Sequence, residues 1–247
     1  MRVLSWFSCG AASAVATKLA LAEGPAVVAY CEVAEEHPDN KRFLLECQEW
    51  FGQEIEVLGN DKYDRSIYKV FEKTRYLKGP GGARCTGELK KKVRQDFELP
   101  GDRQVFGYTV EEQHRVDRFI DANAEIDIWP ILIERGLTKG DCLGILSNAG
   151  IELPEMYKLG YRNNNCIGCV KGEAGYWNKI RVDFPEVFER MAQMEETLGR
   201  TVTKVYKNGE LHRPTLRELD PSAGEYPKEQ AIECGIFCEM AEQDIRN

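Results

Sequence analysis

Nine cysteines and only three histidines set the chemistry open to this 247-residue chain. Cys166 and Cys169 are two residues apart in the polar, small-residue run from Asn163 to Gly172. Thiolates at that spacing chelate one metal or cluster, or form a redox dithiol. Cys234 and Cys238 make a second, wider pair, and Cys85 stands alone beside Arg84. With His37, His114 and His212 the only histidines, an all-thiolate site is favoured over a mixed one. A zinc ion on Cys166, Cys169, Cys234 and Cys238 is one such site; plain packing of these cysteines is the alternative. Cys31, Cys47 and Cys142 lie in apolar segments and read as packing residues. Cys9, with the five just named, lies near glycine or in a loop and needs a chemical account.

The second chemical feature is the loop Ser8-Cys9-Gly10-Ala11-Ala12-Ser13. It lies between an apolar run and an Ala/Leu-rich stretch, where a strand would pass into a helix. Small residues let backbone N–H groups approach an anion, and the helix N-terminus adds its positive end. The Ser8 and Ser13 hydroxyls can donate to phosphate oxygens. A merely small, polar turn is the rival reading. Downstream, Glu111, Glu112 and Arg115 can line such a site, with Arg115 on a phosphate or sulfate. His37 can face the base or ribose. Tyr176, Trp177, Lys179 and Arg181 can clamp a base or pack a loop.

Charge narrows the ligands. The net charge is −8 and the pI about 5.2, which argues against a general polyanion binder. Local basic groups, Arg75–Lys78–Arg84 and Lys90–Lys91–Lys92–Arg94, suit an anionic small molecule or form a solvated helix face. The N-terminus lacks the features of a signal peptide, and no run of about 18 apolar residues suggests a membrane span. A cytoplasmic protein is expected, in which disulfides are disfavoured.

The elements that must position these groups follow from periodicity. Val3–Phe7, Ala26–Tyr30, Glu54–Leu58, Gln104–Gly107 and Ile126–Trp129 read as strands. Ala14–Ala22, Asp39–Phe51, Arg65–Arg75, Glu88–Phe97 and Thr138–Ala149 read as helices, the last with Thr138 as N-cap, and Val116–Ala122 as helical or irregular. This alternation predicts a doubly wound α/β fold on a mostly parallel five-stranded sheet, with ligands at the carboxyl ends of the strands. After Gly150 the pattern fades to loops, a helix at Glu186–Leu198 and a hairpin turning on Asn208-Gly209. Residues 1–150 are read as the nucleotide-binding α/β domain, and 151–247 as a Cys-rich extension folding back on it.

The loop, with several motifs in order behind it, resembles the PP-loop adenine nucleotide alpha-hydrolase (HUP-like) superfamily. Within it the chain is most similar to the phosphoadenosine-phosphosulfate (PAPS) reductase family. The resemblance is carried by Glu35-Glu36-His37-Pro38-Asp39-Asn40 and Ala83-Arg84-Cys85-Thr86-Gly87-Glu88-Leu89-Lys90. It continues through Phe106-Gly107-Tyr108-Thr109-Val110-Glu111-Glu112 to Arg115, and through Trp129-Pro130-Ile131. Tyr157-x-x-Gly160-Tyr161, Cys166-Ile167-Gly168-Cys169 and Glu233-Cys234-Gly235-Ile236 complete it. Three departures stand out. Ala12 replaces an aspartate tied to Mg-ATP chemistry, Thr109 replaces an arginine, and Phe237, followed by Cys238, replaces a histidine.

The resemblance implies an adenine nucleotide (PAPS, APS or ATP) bound by Ser8, Cys9, Gly10, Ala11, Ser13, His37, Gly107, Glu112 and Arg115. It implies Cys85, Cys166 and Cys169 as ligands of a [4Fe–4S] cluster, with Thr86 in place of a fourth; Cys238 or an open iron completes it, and zinc is the alternative. It implies Cys234 as the nucleophile that attacks the nucleotide-bound sulfate as an oxidoreductase, with a thioredoxin-like reductant as partner. A cysteine tied to metal could not play that part. The other readings are an ATP-dependent sulfurtransferase with a nucleic acid acceptor, and a non-catalytic nucleotide-binding protein with a structural metal. A homodimer is a further expected assembly.

Overall fold

Five apolar runs meet as a parallel sheet in a computed structural model that describes residues 1–79 and 82–226. The strands are β1 (Val3–Phe7), β2 (Ala26–Cys31), β3 (Glu56–Leu58), β4 (Arg103–Val105) and β5 (Asp127–Trp129), in the order β3-β2-β1-β4-β5. Val3 of β1 is in register with Ala26 of β2 on one side and Arg103 of β4 on the other. Strand order reverses at β1, so the crevice between the carboxyl ends of β1 and β4 is the topological switch point where such sheets bind ligands.

The period of two along β1 explains both faces of the sheet. Phe7, with Val28 and Tyr30 of β2, joins a core built with helices α1 (Ala11–Glu23) and α2 (Asn40–Phe51). Leu4 and Trp6, with Ala29 and Cys31, face the other way onto Val93 and Phe97 of a helical stretch ending in α4 (Lys92–Phe97). Helix α3 (Ile67–Thr74) precedes that stretch, which winds continuously from Arg84 through a π-helical turn at Gly87–Lys91. Helix α5 (Gln113–Ala122) follows β4, and α6 (Lys139–Asn148) packs against α1. Each fully buried large side chain, Phe7 or Phe43 for example, contributes about 1.5–3 kcal/mol.

The doubly wound α/β expectation holds, with local shifts. Helix α1 begins at Ala11, three residues before the expected Ala14, because the helix opens directly out of the loop. The expected cap of α6 is present: Thr138 Oγ1 accepts from Asp141 N at 3.1 Å, and the Asp141 carboxylate accepts from Thr138 N at 2.8 Å. Beyond Gly150 there is more helix than the sequence reading gave. Helix α7 (Ala174–Asp183) precedes α8 (Pro185–Leu198). Ala174, Trp177 and Ile180 are buried at a spacing of three, and they join α3 and α8 in a second core. The hairpin is β6 (Val205–Lys207) with β7 (Glu210–His212); Asn208 and Gly209 both have positive φ, 52° and 82°, as a two-residue turn requires. Among the described residues no helix is long and apolar enough to cross a membrane.

Candidate nucleotide cleft and thiol chamber

The loop after β1 is locked by a knot of hydrogen bonds centred on Ser13. Its Oγ accepts from Ser8 N and Ser8 Oγ, each at 3.0 Å, and donates to Gly10 O at 2.9 Å. Ala11 N donates to the Tyr157 hydroxyl at 3.3 Å, tying the first turn of α1 to the second half of the chain. Cys9 takes φ 53°, a left-handed conformation that side chains tolerate poorly, and turns its thiol inward, where it is fully buried 4.0 Å from Asn40 O. Cys9 O then accepts from Asn164 Nδ2 at 2.6 Å, and the same amide reaches Asn40 Oδ1 at 2.8 Å.

Gly107, just past β4, crosses this loop at backbone contact. A Cβ there would lie 2.5 Å from Ser13 N and 2.8 Å from Ala12 C, so only glycine lets the two strand ends close on each other. Above them opens a cleft of about 990 Å³ bordered by Ser8, Gly10, Ser13, Gly107, Glu112 and Arg115. Trp6, Phe106 and Arg94 border it too, the Arg94 guanidinium lying 4.9 Å from the Phe106 ring centre. Burial lowers the pKa of Arg94, and its Nε has no hydrogen-bond partner among the described residues. Arg115 stacks over Tyr108 at 5.1 Å and pairs with Glu112.

A second cavity, about 1220 Å³, adjoins the first, and Thr86, Lys90, Asn163 and Lys171 border both. Cys85, Cys166 and Cys169 line it. Burial pushes the Cys85 thiol up to about 11; Cys169 adds to the shift, and Lys171 and Lys90 oppose it. Burial holds Cys166 well above its ordinary value, with Lys90 opposing and Glu36, Cys169 and Cys85 reinforcing. The Cys166–Cys169 turn is pinned by Tyr176, whose hydroxyl accepts from Gly168 N and Cys169 N, each at 3.0 Å.

Between the cavities runs a buried polar network. Lys90 Nζ pairs with Glu36 Oε1 at 3.1 Å, and Glu36 Oε2 accepts from Asn40 Nδ2 at 3.0 Å and from the Tyr30 hydroxyl. Burial works against the Lys90 ammonium, but Glu36 and Cys166 outweigh it and raise its pKa.

The structure thus brings Ser8, Gly10, Ser13, Gly107, Glu112 and Arg115 to one cleft and Cys85, Cys166 and Cys169 to its neighbour. Cys9 and Ala11 are core residues beneath the loop, offering backbone rather than side chain. His37 borders neither cavity: its Nδ1 accepts from Asp39 N at 3.2 Å, and its ring packs 6.2 Å from Phe184. Cys234 and Cys238 lie outside the described residues. Tyr176 and Trp177 pin and pack rather than clamp a base, Trp177 being fully buried. Sequence reasoning missed Tyr157, Asn164 and the Glu36–Lys90 pair as supports of the site, although Glu36 and Lys90 stand inside motifs it singled out.

Among the described residues no three His, Cys, Asp or Glu side chains are gathered as a ready set of metal ligands. The donor chemistry of three neighbouring thiols is nevertheless that of a soft-metal or iron–sulfur site. Comparison of the chain with family models, with curated proteins and with solved structures finds no match in any of the three.

Proposed function

We propose that the chain is a PAPS-reductase-like enzyme of the cytoplasm that seats the phosphates of an adenine (sulfo)nucleotide on the Ser8–Ser13 loop and performs thiol chemistry on sulfur in the adjoining chamber. The observation that carries this reading is the shared wall: the cleft bordered by the Ser8–Ser13 loop and the chamber bordered by three thiols have Thr86, Lys90, Asn163 and Lys171 in common. Ser8, Gly10 and Ser13 offer hydroxyl and amide donors to the nucleotide, and Arg115 and Lys90 offer charge to its sulfate. Cys234 attacks the sulfur as thiolate. The new S–S bond forms as the S–O bond to the nucleotide breaks, and AMP or its 3′-phosphate leaves on the loop. A thioredoxin-like dithiol then attacks Cys234, releases sulfite and supplies the two electrons. Cys85, Cys166 and Cys169 would hold a [4Fe–4S] cluster, with Cys238 as fourth ligand, or else zinc. Ligated by thiolates, either group would brace the chamber's turns, and the positive charge beside the sulfate would come from Lys90 and Arg115.

A second reading, sulfur transfer to a nucleic acid base driven by ATP, is favoured by one observation: Arg162, Lys171 and Lys207 border the chamber without an ion pair among the described residues. The two are separated by one experiment on anaerobically purified full-length protein. PAPS, APS and ATP are titrated calorimetrically, and sulfite release with a dithiol reductant is measured. The first reading expects a sulfonucleotide to bind and release sulfite, with Cys234→Ser abolishing release. Absence of sulfite with both sulfonucleotides rejects it. Iron and sulfide analysis of the same sample distinguishes cluster from zinc.

A further inference from the structure

Among the described residues, the cations bordering the nucleotide cleft are satisfied by a partner or by water, with one exception. Lys90 is paired with Glu36, Arg115 with Glu112, and Lys139 Nζ donates to Asn163 Oδ1 at 2.9 Å. Lys91, Arg162 and Lys171 have no ion pair among the described residues, but they are exposed and water serves them. Arg94 has neither. It makes no hydrogen bond and no ion pair among the described residues, it is half-buried, and its Nε is buried without an acceptor.

Two rings hold this cation in place. The Arg94 guanidinium lies over Phe106, 4.9 Å from its centre, and over Trp6 at 5.7 Å. Aromatic faces attract a guanidinium without using its in-plane N–H fork, which stays free for a carboxylate, phosphate or sulfate. The acids that border the cleft are engaged elsewhere. Glu98 accepts from Gln104 Nε2 at 2.9 Å, Glu111 accepts from Lys139 N at 3.2 Å, and Glu112 holds Arg115. Burial lowers the Arg94 pKa despite the opposing charge of Glu98, and Cys31 beside it, its thiol pushed up to about 11 by burial, brings no charge near neutrality. A half-buried charge without an acceptor is a cost to the folded chain, and a ligand oxyanion removes it.

The place of Arg94 separates it from the loop. It follows Lys90 by four residues, one turn or about 6 Å along a helix. It packs on Trp6, two residues before Ser8, and on Phe106, one before Gly107, on the sheet face away from α1. Lys91 and Gln95 border the cleft from the same side of the helix as Arg94.

We propose that Arg94, flanked by Lys91 and Gln95, is a second oxyanion subsite of the nucleotide cleft and takes a phosphate or sulfate apart from those seated on the Ser8–Ser13 loop. Arg94 lies outside every motif that carries the family resemblance. The proposal rests on the nucleotide reading of the cleft and adds to it a second anion, carried on the ribose of the nucleotide or present as a separate ion.

The test is calorimetry of the full-length protein with AMP, with adenosine 3′,5′-bisphosphate, and with inorganic phosphate, alone and after saturation with AMP. Charge-assisted hydrogen bonds to one more oxyanion predict about ten- to a hundredfold tighter binding of the bisphosphate than of AMP. Arg94→Met keeps the stem on the rings and removes the fork, so the two nucleotides should then bind within about threefold of each other. Arg94→Lys keeps the charge and should retain part of the preference; where Arg94→Met lowers the melting temperature by more than a few degrees, Arg94→Lys carries the comparison. Equal binding of AMP and the bisphosphate, with phosphate joining the AMP complex of wild type but not of Arg94→Met, supports the subsite and assigns it to a separate ion. Affinities for all these ligands that are the same in wild type and both variants overturn the proposal and leave the nucleotide reading standing. Phosphate binding that depends on Arg94, in a protein that takes neither nucleotide, keeps the subsite and removes that reading.

Discussion

The nucleotide cleft and the thiol chamber share a wall but are built on different principles. The cleft is held by short side chains clasping main chain at close quarters: the Ser13 hydroxyl gathers Ser8 and Gly10, Gly107 closes on Ser13 without room for a Cβ, and Asn164 fastens Cys9 O. The loop's shape is set before any ligand arrives, and a phosphate would take over donors that Ser8, Gly10 and Ser13 now spend on one another. The chamber is held by side chains on turns. Burial raises the Cys85 and Cys166 thiols, and the Tyr176 hydroxyl, with Ile167 N on Glu35 O at 2.9 Å, braces the Cys166–Cys169 turn. One half of the site is therefore preorganised, and the other acquires charge only when its thiols lose protons. The difference teaches that nucleotide binding and sulfur chemistry should fail independently.

Gly107→Ala should break the cleft alone, and with the largest effect. The methyl would meet Ser13 backbone, which has no flexible end to yield. Stability should fall by about 1–3 kcal/mol and nucleotide affinity by about a hundredfold, read by thermal melting and calorimetry. Thiol reactivity in the chamber should change little.

Glu36→Gln tests the seam between the two. It strands the Lys90 ammonium beside Cys166 and removes a charged acceptor from Tyr30 and Asn40. A loss of about 1–2 kcal/mol is expected in chemical denaturation, because Lys90, half-exposed, loses its charge partner while solvent still reaches it.

Hydrogen-ion dependence sharpens the chamber alone. Burial raises the folded pKa of Cys85 from 9.0 to about 11. Its contribution to stability is therefore full below pH 9 and is lost as pH rises from about 9 through 11. In metal-free protein, Cys85 alkylation by iodoacetamide should accelerate about tenfold per pH unit below that pKa, as the thiolate fraction grows. A rate already at its plateau at pH 8 would show a thiolate and contradict the protonated chamber.

The smallest effect belongs to Tyr157→Phe. Losing the hydroxyl at Ala11 N costs about 1 kcal/mol, seen as a lower melting temperature, with a several-fold weaker nucleotide.

The strands and most helices were legible because period-two and period-three-to-four patterns are local. The loop was legible as a strand-to-helix junction, and β-α alternation alone places that junction at the switch point. Helix α7 escaped because Tyr176, Trp177, Lys179 and Arg181 invite a functional reading, although Ala174, Trp177 and Ile180 carry the helical spacing. Cys9 was placed in the loop but its side chain was not: the left-handed turn there sends the thiol into the core, which no local pattern shows. Lys90 with Glu36, and Asn164 with Cys9, are partners separated by 54 and 155 residues, and no periodicity in the chain reveals such pairs.

The central claim is that the Ser8–Ser13 loop holds the phosphates of an adenine nucleotide. A crystal structure of the full-length protein soaked or grown with a sulfonucleotide and with ATP tests it most directly. The account predicts phosphate oxygens within hydrogen-bond distance of the Ser8 and Ser13 hydroxyls and the backbone amides between them, with the sulfate or γ-phosphate directed toward Lys90 and the three thiols. Density for the nucleotide elsewhere on the protein, with this loop left in contact with solvent, would contradict it.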